Sequence, residues 1–196
     1  MPDAAVLLDL LAQRPATLDA GRLLCLDGPA GSGKTTLAEA VARQAVRRGT
    51  VVRVVHLDDL YVGWEGLDGV AGSLADLLAP LASGRAGSYC RYDWHAGRLA
   101  ERVVVEPVEL LVLEGVGSGG STTAAHRTVL AWVEAPPALR LARGLARDGE
   151  GLREHWGPWQ AREQAHFARE RTREHATVLL DGTGSRAPIG PRAPQA

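Results

Sequence analysis

The chain has 196 residues, of which 45% are apolar and 23% charged, and its formal net charge is −1. That length suits one domain with a proper core, and the near-neutral balance offers no global field for nucleic acid or an anionic membrane. Two distant cysteines argue against a disulfide framework or a zinc site, no apolar run approaches the ~20 residues of a membrane span, and no signal-peptide pattern opens the sequence, so a reducing cytoplasm is the expected location.

In chain order, residues 4–13 read as a short amphipathic helix stopped by Pro15, and RLLCLD (22–27) as an apolar strand with Cys25 buried in it. A glycine-rich loop follows. Residues 35–48 then form a helix with Leu37, Val41 and Ala45 on one face, ended by Gly49. VVRVVHLD (51–58) is the second strand, and 73–84 a helix kinked or broken at Pro80. LLVLEG (110–115) is apolar throughout and predicts a third strand buried on both faces. LAWVEA (130–135) is the fourth strand, and 136–148 a helix with proline in its first turn. Gly157-Pro158 opens a charged helix to about His175, and TVLLDG (177–182) is the fifth strand. From Gly184 the Gly/Pro-rich composition predicts a disordered tail, leaving 1–183 as a single domain with a lid near 140–157.

Strands alternating with helices predict an α/β fold: a parallel five-stranded sheet with helices on both faces and ligands at the carboxyl ends of the strands. At the first such end, GPAGSGKT (28–35) matches GxxxxGK[ST] between a strand and a helix, the context the motif requires. Its backbone N–H groups and the helix dipole suit a nucleotide phosphate. Lys34 is the only lysine of the chain. A narrow loop needs a compact point charge on a flexible stem, which arginine cannot provide. Gly28, Ala30, Gly31, Ser32, Gly33, Lys34, Thr35 and Thr36 are therefore the candidate ATP contacts. The Thr35 hydroxyl is a candidate Mg²⁺ ligand, joined by Glu114 at the end of the most apolar strand. A turn-capping carboxylate is the alternative for Glu114, but the order of the motifs along the chain favours the metal role; the GSGG run (117–120) reads equally as a flexible turn or a loop near the substrate.

Two further elements point to phosphoryl transfer. Asp58 in HLDDLY (56–61) would project beside the loop, where a kinase needs a base for the acceptor hydroxyl. On the helix at 136–148, Arg140, Arg143 and Arg147 share one face, with Ala138, Leu141, Ala142 and Leu145 on the other. The expectation is that the aliphatic side packs and the arginine stripe faces either solvent or phosphates. A guanine-specific switch needs an Asn-Lys-x-Asp element, and the chain has no asparagine.

These motifs, GPAGSGKTTLA, DDLY, YDW, LLVLEG and RLARGLARD in that order, resemble the uridine kinase-like group of P-loop kinases, with its phosphoribulokinase and pantothenate kinase neighbours. The resemblance implies strand order 2-3-1-4-5 and a mobile lid. It implies Asp58 as catalytic base, Tyr61, Tyr92 and Asp93 at the acceptor, Glu114 at the metal, and Arg140, Arg143 and Arg147 on ATP phosphates. Lys34, Arg143 and Arg147 complete the catalytic set. The family's base-contacting histidine stands five residues after its pocket tyrosine, whereas His95 stands three after Tyr92 and is followed by Arg98. His95, Arg98 and Trp64 join the candidate acceptor contacts, with Asp68 as a substitute ribose ligand. Trp64, Tyr92 and Trp94 either stack on a base or pack a loop. His155, His166 and His175 read as solvated. The expected activity is ATP- and Mg²⁺-dependent phosphorylation of a small-molecule hydroxyl, a nucleoside first. A non-nucleoside alcohol, such as a vitamin or sugar derivative, and a regulatory ATPase are the alternatives. Nucleic acid and membranes are not expected partners.

Overall fold

The computed structural model describes residues 2–190. It has seven strands: β1 (Arg22–Asp27), β2 (Val52–His56), β3 (Gly87–Asp93), β4 (Arg98–Val105), β5 (Leu110–Glu114), β6 (Val129–Glu134) and β7 (Val178–Asp181). The helices are α1 (Pro2–Ala12), α2 (Lys34–Arg47), α3 (Val70–Leu81), α4 (Pro137–Asp148) and α5 (Arg153–Glu170). Five strands make one parallel sheet in the order β2-β5-β1-β6-β7. Numbered among themselves these are 2-3-1-4-5, as expected.

Side-chain alternation along β1 supplies both cores. Leu23 and Cys25 join a cluster with Leu74 and Leu77 of α3 and Trp159 of α5. Leu24 and Leu26 join Leu7 of α1 and Leu37 and Val41 of α2 on the other face. Each fully buried leucine contributes roughly 1.5–3 kcal/mol relative to exposure. β5 lies between β1 and β2 with all five residues buried, which is why its sequence is a continuous apolar run. Among the described residues no helix is long and apolar enough to cross a membrane.

Three features differ from expectation. An antiparallel hairpin, β3–β4, stands outside the sheet and was not legible in the sequence. Every residue of β4 but Val103 and Val105 is exposed, so the alternation that advertises a half-buried strand is missing. α5 starts at Arg153 and ends at Glu170, with Pro158 inside its second turn. Proline is tolerated early in a helix because little of the hydrogen-bond ladder precedes it. In the expected tail, Ile189 exchanges backbone hydrogen bonds of 3.0 and 3.2 Å with Leu179, so the chain returns to β7. Residues 191–196 of that tail lie outside the described residues.

Candidate nucleotide and acceptor site

The chain leaves β1 for β2 on one side of it, while β6, reached from β5, pairs with it on the other, and this change of direction opens a crevice beyond the end of β1, where the phosphate-loop motif lies. Gly31 and Gly33 take left-handed φ angles of +75° and +103°. A Cβ on Gly31 would stand 2.3 Å from the Arg140 carbonyl oxygen, so the loop runs directly beneath α4. Gly33 begins α2 without any side-chain cap, which leaves the first N–H groups of the helix open to an anion. The Ser32 hydroxyl is buried with no partner. Lys34 is 7% exposed and folds back on the loop, donating to the Gly28 and Pro29 carbonyls at 2.8 and 3.0 Å. Uncapped donors, an orphaned hydroxyl and a buried ammonium fit a polyphosphate. Thr36 sits exposed on the same turn.

Thr35 donates to Glu114 Oε1 at 3.1 Å, bringing the two candidate Mg²⁺ ligands together. Among the described residues no group of three or more His, Cys, Asp or Glu could hold a metal ion. A cation here would therefore draw on Thr35, Glu114 and the phosphates themselves. His56, directly opposite Glu114 in the β2–β5 register, lies with Nδ1 2.6 Å from the same Oε1. Burial of Glu114 acts to raise its pKa, but the His56 hydrogen bond and the Lys34 charge outweigh it and hold the carboxyl below its ordinary value. The same bond holds His56 above its ordinary value. Nothing in the motif reading marked His56; its place at the end of a strand paired to Glu114 is a property of register.

Asp58 follows β2 in a short 3₁₀ turn spanning Leu57–Asp59. Solvent reaches it, yet the crevice walls crowd it, and this desolvation together with Glu114 raises its pKa. Arg147 and Lys34 oppose the rise, so all four charges share one electrostatic neighbourhood.

Asp27 belongs to no motif, yet it organises the base of the site. The last residue of β1 is 0% exposed and accepts three backbone N–H bonds: from Gly28 at 2.7 Å, Gly117 at 3.0 Å and Gly119 at 2.8 Å. Burial drives its pKa up to about 6 against these bonds and Lys34. The GSGG run is thus a fixed turn rather than a flexible one. Residues 117–120 are buried and bolted to the start of the phosphate loop.

The arginine helix is inverted relative to expectation. Its aliphatic side is outermost, with Ala138, Ala142 and Ala146 exposed and Leu141 and Leu145 half-buried. The arginine side packs inward at Arg140 and Arg143, while Arg147 in the last turn stays exposed. Arg140 is 9% exposed, pairs with Glu163 of α5 at 3.1 Å and donates to the Ala30 carbonyl at 3.2 Å. Ala30 N–H is itself given to Glu163 at 2.8 Å. Arg140 and Ala30 therefore serve the loop's own structure rather than the phosphates. Arg143 donates to Gly182 and Ser32 carbonyls at 3.0 and 3.5 Å and lies over Gly33. Arg147 is forked onto Asp148 at 2.6 and 2.7 Å and alone of the three reaches the Asp58–Glu114 side. The inversion has a packing cause. Gly144, on the arginine side, lies against Trp156, and a Cβ there would meet the indole at 2.1 Å.

The acceptor side is walled by aromatics that pack on one another. Trp94 meets Trp64 and Tyr92 edge-on at 5.1 and 5.2 Å and donates its indole N–H to the Asp58 carbonyl at 2.8 Å. His155 stacks on Trp64 at 4.8 Å with 11° between the planes, so one face of its ring is covered while 39% of the side chain stays exposed. His166 is not a solvated histidine: it is 6% exposed and held by burial below its ordinary pKa. Tyr61 is 1% exposed, donates to the Val116 carbonyl at 2.7 Å and packs on Trp159, so it supports the wall from inside the core. Asp93 caps the hairpin turn through the N–H groups of His95 and Ala96, both at 2.9 Å. His95 and Arg98 are exposed at that turn. Asp68 faces Arg162 and Arg169 at 4.0 and 3.9 Å, on the outside.

Residues 13–80, which carry β1, the loop, α2 and β2, match the IstB-like ATP binding protein family. Among solved structures the chain is similar to a possible uridine kinase from Bacillus stearothermophilus, at 20% identity and a TM-score of 0.60, covering 82% of this chain and 89% of that one. It is also similar to D-glycerate 3-kinase from Cryptococcus neoformans, at 13% identity and a TM-score of 0.60, covering 98% of both chains. No curated protein sequence matches the chain significantly. At these identities the likeness establishes the architecture: the chain has the P-loop kinase fold.

Proposed function

We propose that the chain is an ATP-dependent kinase that transfers the γ-phosphate to a hydroxyl of a small molecule. The observation that carries this reading is the place of Asp58: a carboxylate in the turn directly after β2, two residues beyond the His56–Glu114 register pair, whose backbone carbonyl anchors the aromatic wall through Trp94, with Lys34, Glu114 and Arg147 acting on its charge. A nucleotide switch needs no base on that side of the loop, whereas a kinase does.

The residues then take distinct roles. The α2 N-terminus and Lys34 hold the phosphates, Lys34 exchanging its two carbonyl partners for phosphate oxygens. Thr35 and Glu114 would hold Mg²⁺, which when bound neutralises charge on the phosphate oxygens. Asp58 orients the acceptor hydroxyl and accepts its proton. Arg143 lies over the loop, and Arg147 meets the charge that develops on the transferring group. A nucleoside is the first acceptor to test, since the wall of Trp64, Tyr92 and Trp94 suits a planar ring. A second reading, a compact non-planar alcohol, is favoured by the His155 ring, which already covers Trp64.

The test is ATP turnover by purified protein against a panel of nucleosides, sugars and hydroxy acids, with phosphorylated product identified by mass. Lys34→Ala is the control and should abolish transfer while leaving the fold intact. ATP hydrolysis without any phosphorylated acceptor would point to the regulatory ATPase instead.

A further inference from the structure

Three side-chain clusters lie outside the roles just assigned: the aliphatic outer face of α4, the buried His166 and Thr172 behind residues 117–120, and the carboxylate of Glu163. The third carries an inference. Glu163 lies in the middle of α5, 3% exposed, and α5 otherwise packs on the sheet and on the 63–69 turn. An ionisable group so buried is costly unless paired. Here both oxygens are engaged, and by partners from different parts of the site. Oε2 accepts the Ala30 N–H at 2.8 Å and Oε1 accepts Arg140 Nη1 at 3.1 Å. Arg140 Nη1 also donates to the Ala30 carbonyl at 3.2 Å. The three hydrogen bonds close a ring, which holds both backbone groups of one phosphate-loop residue and ties them to α4 and α5 at once.

We infer that Glu163 is a positioning residue for ATP. It fixes the outer turn of the phosphate loop and, through Arg140, the height of α4 above it. Two observations make the ring more than a core ion pair. Ala30 is followed by Gly31, whose left-handed φ and 2.3 Å hypothetical Cβ contact with Arg140 O show that loop and helix touch at that residue. One helical turn further on, Arg143 reaches the Ser32 and Gly182 carbonyls, so the height that Arg140 sets also sets the reach of Arg143 over Gly33. Glu163 thus acts on the nucleotide through the orientation of groups it does not share with it. This inference rests on the reading of residues 28–35 as a phosphate loop but not on the identity of the acceptor.

The experiment measures binding of ATP and of a fluorescent ATP analogue to the full chain, well below each variant's melting temperature, alongside urea unfolding. Glu163→Ala removes both acceptors and should weaken ATP binding by about tenfold or more, with the KM for the acceptor little changed. Glu163→Gln keeps an oxygen for the Ala30 N–H and should recover part of that loss. Glu170→Ala is the structural control: Glu170 is on the same helix and likewise accepts a backbone N–H, that of Ser121 at 2.8 Å, which is not a phosphate-loop residue. It should lower stability without changing ATP affinity. If folded Glu163→Ala binds ATP as the wild type does, or Glu170→Ala loses as much affinity, the positioning role is overturned. If Lys34→Ala binds ATP as tightly as wild type, or the wild type does not bind it, the phosphate-loop reading falls and takes this inference with it. If the wild type binds ATP but phosphorylates no acceptor, only the kinase reading fails, and the Glu163 comparison still decides this one.

Discussion

Replacing Asp27 by alanine strips the acceptor from three N–H groups at once. Each buried donor left unmade costs about 1–3 kcal/mol, and relief of the buried carboxylate's own desolvation offsets part of the sum. A net loss of about 2–5 kcal/mol is expected at neutral pH, against a total of roughly 5–15 kcal/mol for a domain. For a chain of this length each kcal/mol moves the melting temperature by about 2–4 °C, so the variant should melt roughly 5–20 °C lower. Urea unfolding followed by circular dichroism measures the loss. The charge state gives a second handle. Burial raises the folded pKa to about 6 from 3.8, so the folded state binds the extra proton between those values. Its contribution is fully present below about pH 4 and is lost as pH rises through 6, a decline of up to about 3 kcal/mol. Asp27→Asn keeps one oxygen acceptor and removes the titration, so stability measured from pH 4 to 6.5 should decline less in the variant than in wild type. An alanine variant within 1 kcal/mol of wild type, or an asparagine variant with the wild-type slope, would refute the bolt.

The remaining predictions concern the chemistry. Asp58→Asn should lower kcat by roughly 10²-fold or more, the scale of losing a general base, with ATP affinity little changed. Because crowding by the crevice walls and the Glu114 charge raise the Asp58 pKa, the acid-side fall of the wild-type rate should come at a higher pH than for an ordinary aspartate, and steady-state rates across pH check this. Arg147→Ala should reduce kcat more than it raises the acceptor KM while stability stays within about 0.5 kcal/mol, whereas Arg153→Ala, exposed and paired with Glu150, should behave as surface in both assays. Wild-type kcat in Arg147→Ala would show that its charge does not reach the transferring group.

The parts of the fold governed by local pattern could be read directly. β1, β5 and β6 are continuous apolar runs, and the GxxxxGK[ST] loop needs only its flanking strand and helix to be recognised. Sheet order came with the family resemblance rather than from the strands themselves. The site was half legible. Lys34, Thr35, Glu114 and Asp58 sit at strand ends or in the motif, where the chain itself dictates direction. What escaped reading depends on partners far away in sequence. Asp27 is bound by residues about ninety positions on, and Glu163 holds a loop 133 positions back. The polarity of α4 is hidden from the sequence for a related reason. Alternation of arginine with leucine and alanine defines two faces but not which is inside, and here a buried carboxylate and loop carbonyls make the arginine face the better packed one.

Gly144 illustrates a constraint of another kind. Its backbone is ordinary α-helix, so any residue could adopt the conformation; what forbids a side chain is the Trp156 indole, 2.1 Å from where a Cβ would be. The two positions therefore occupy one volume between them. In the evolutionary record of this chain they should vary as a pair, a larger residue at 144 arriving only with a smaller ring at 156. An alignment in which either drifts freely while the other stays fixed would mean that α4 and α5 are spaced differently in those relatives.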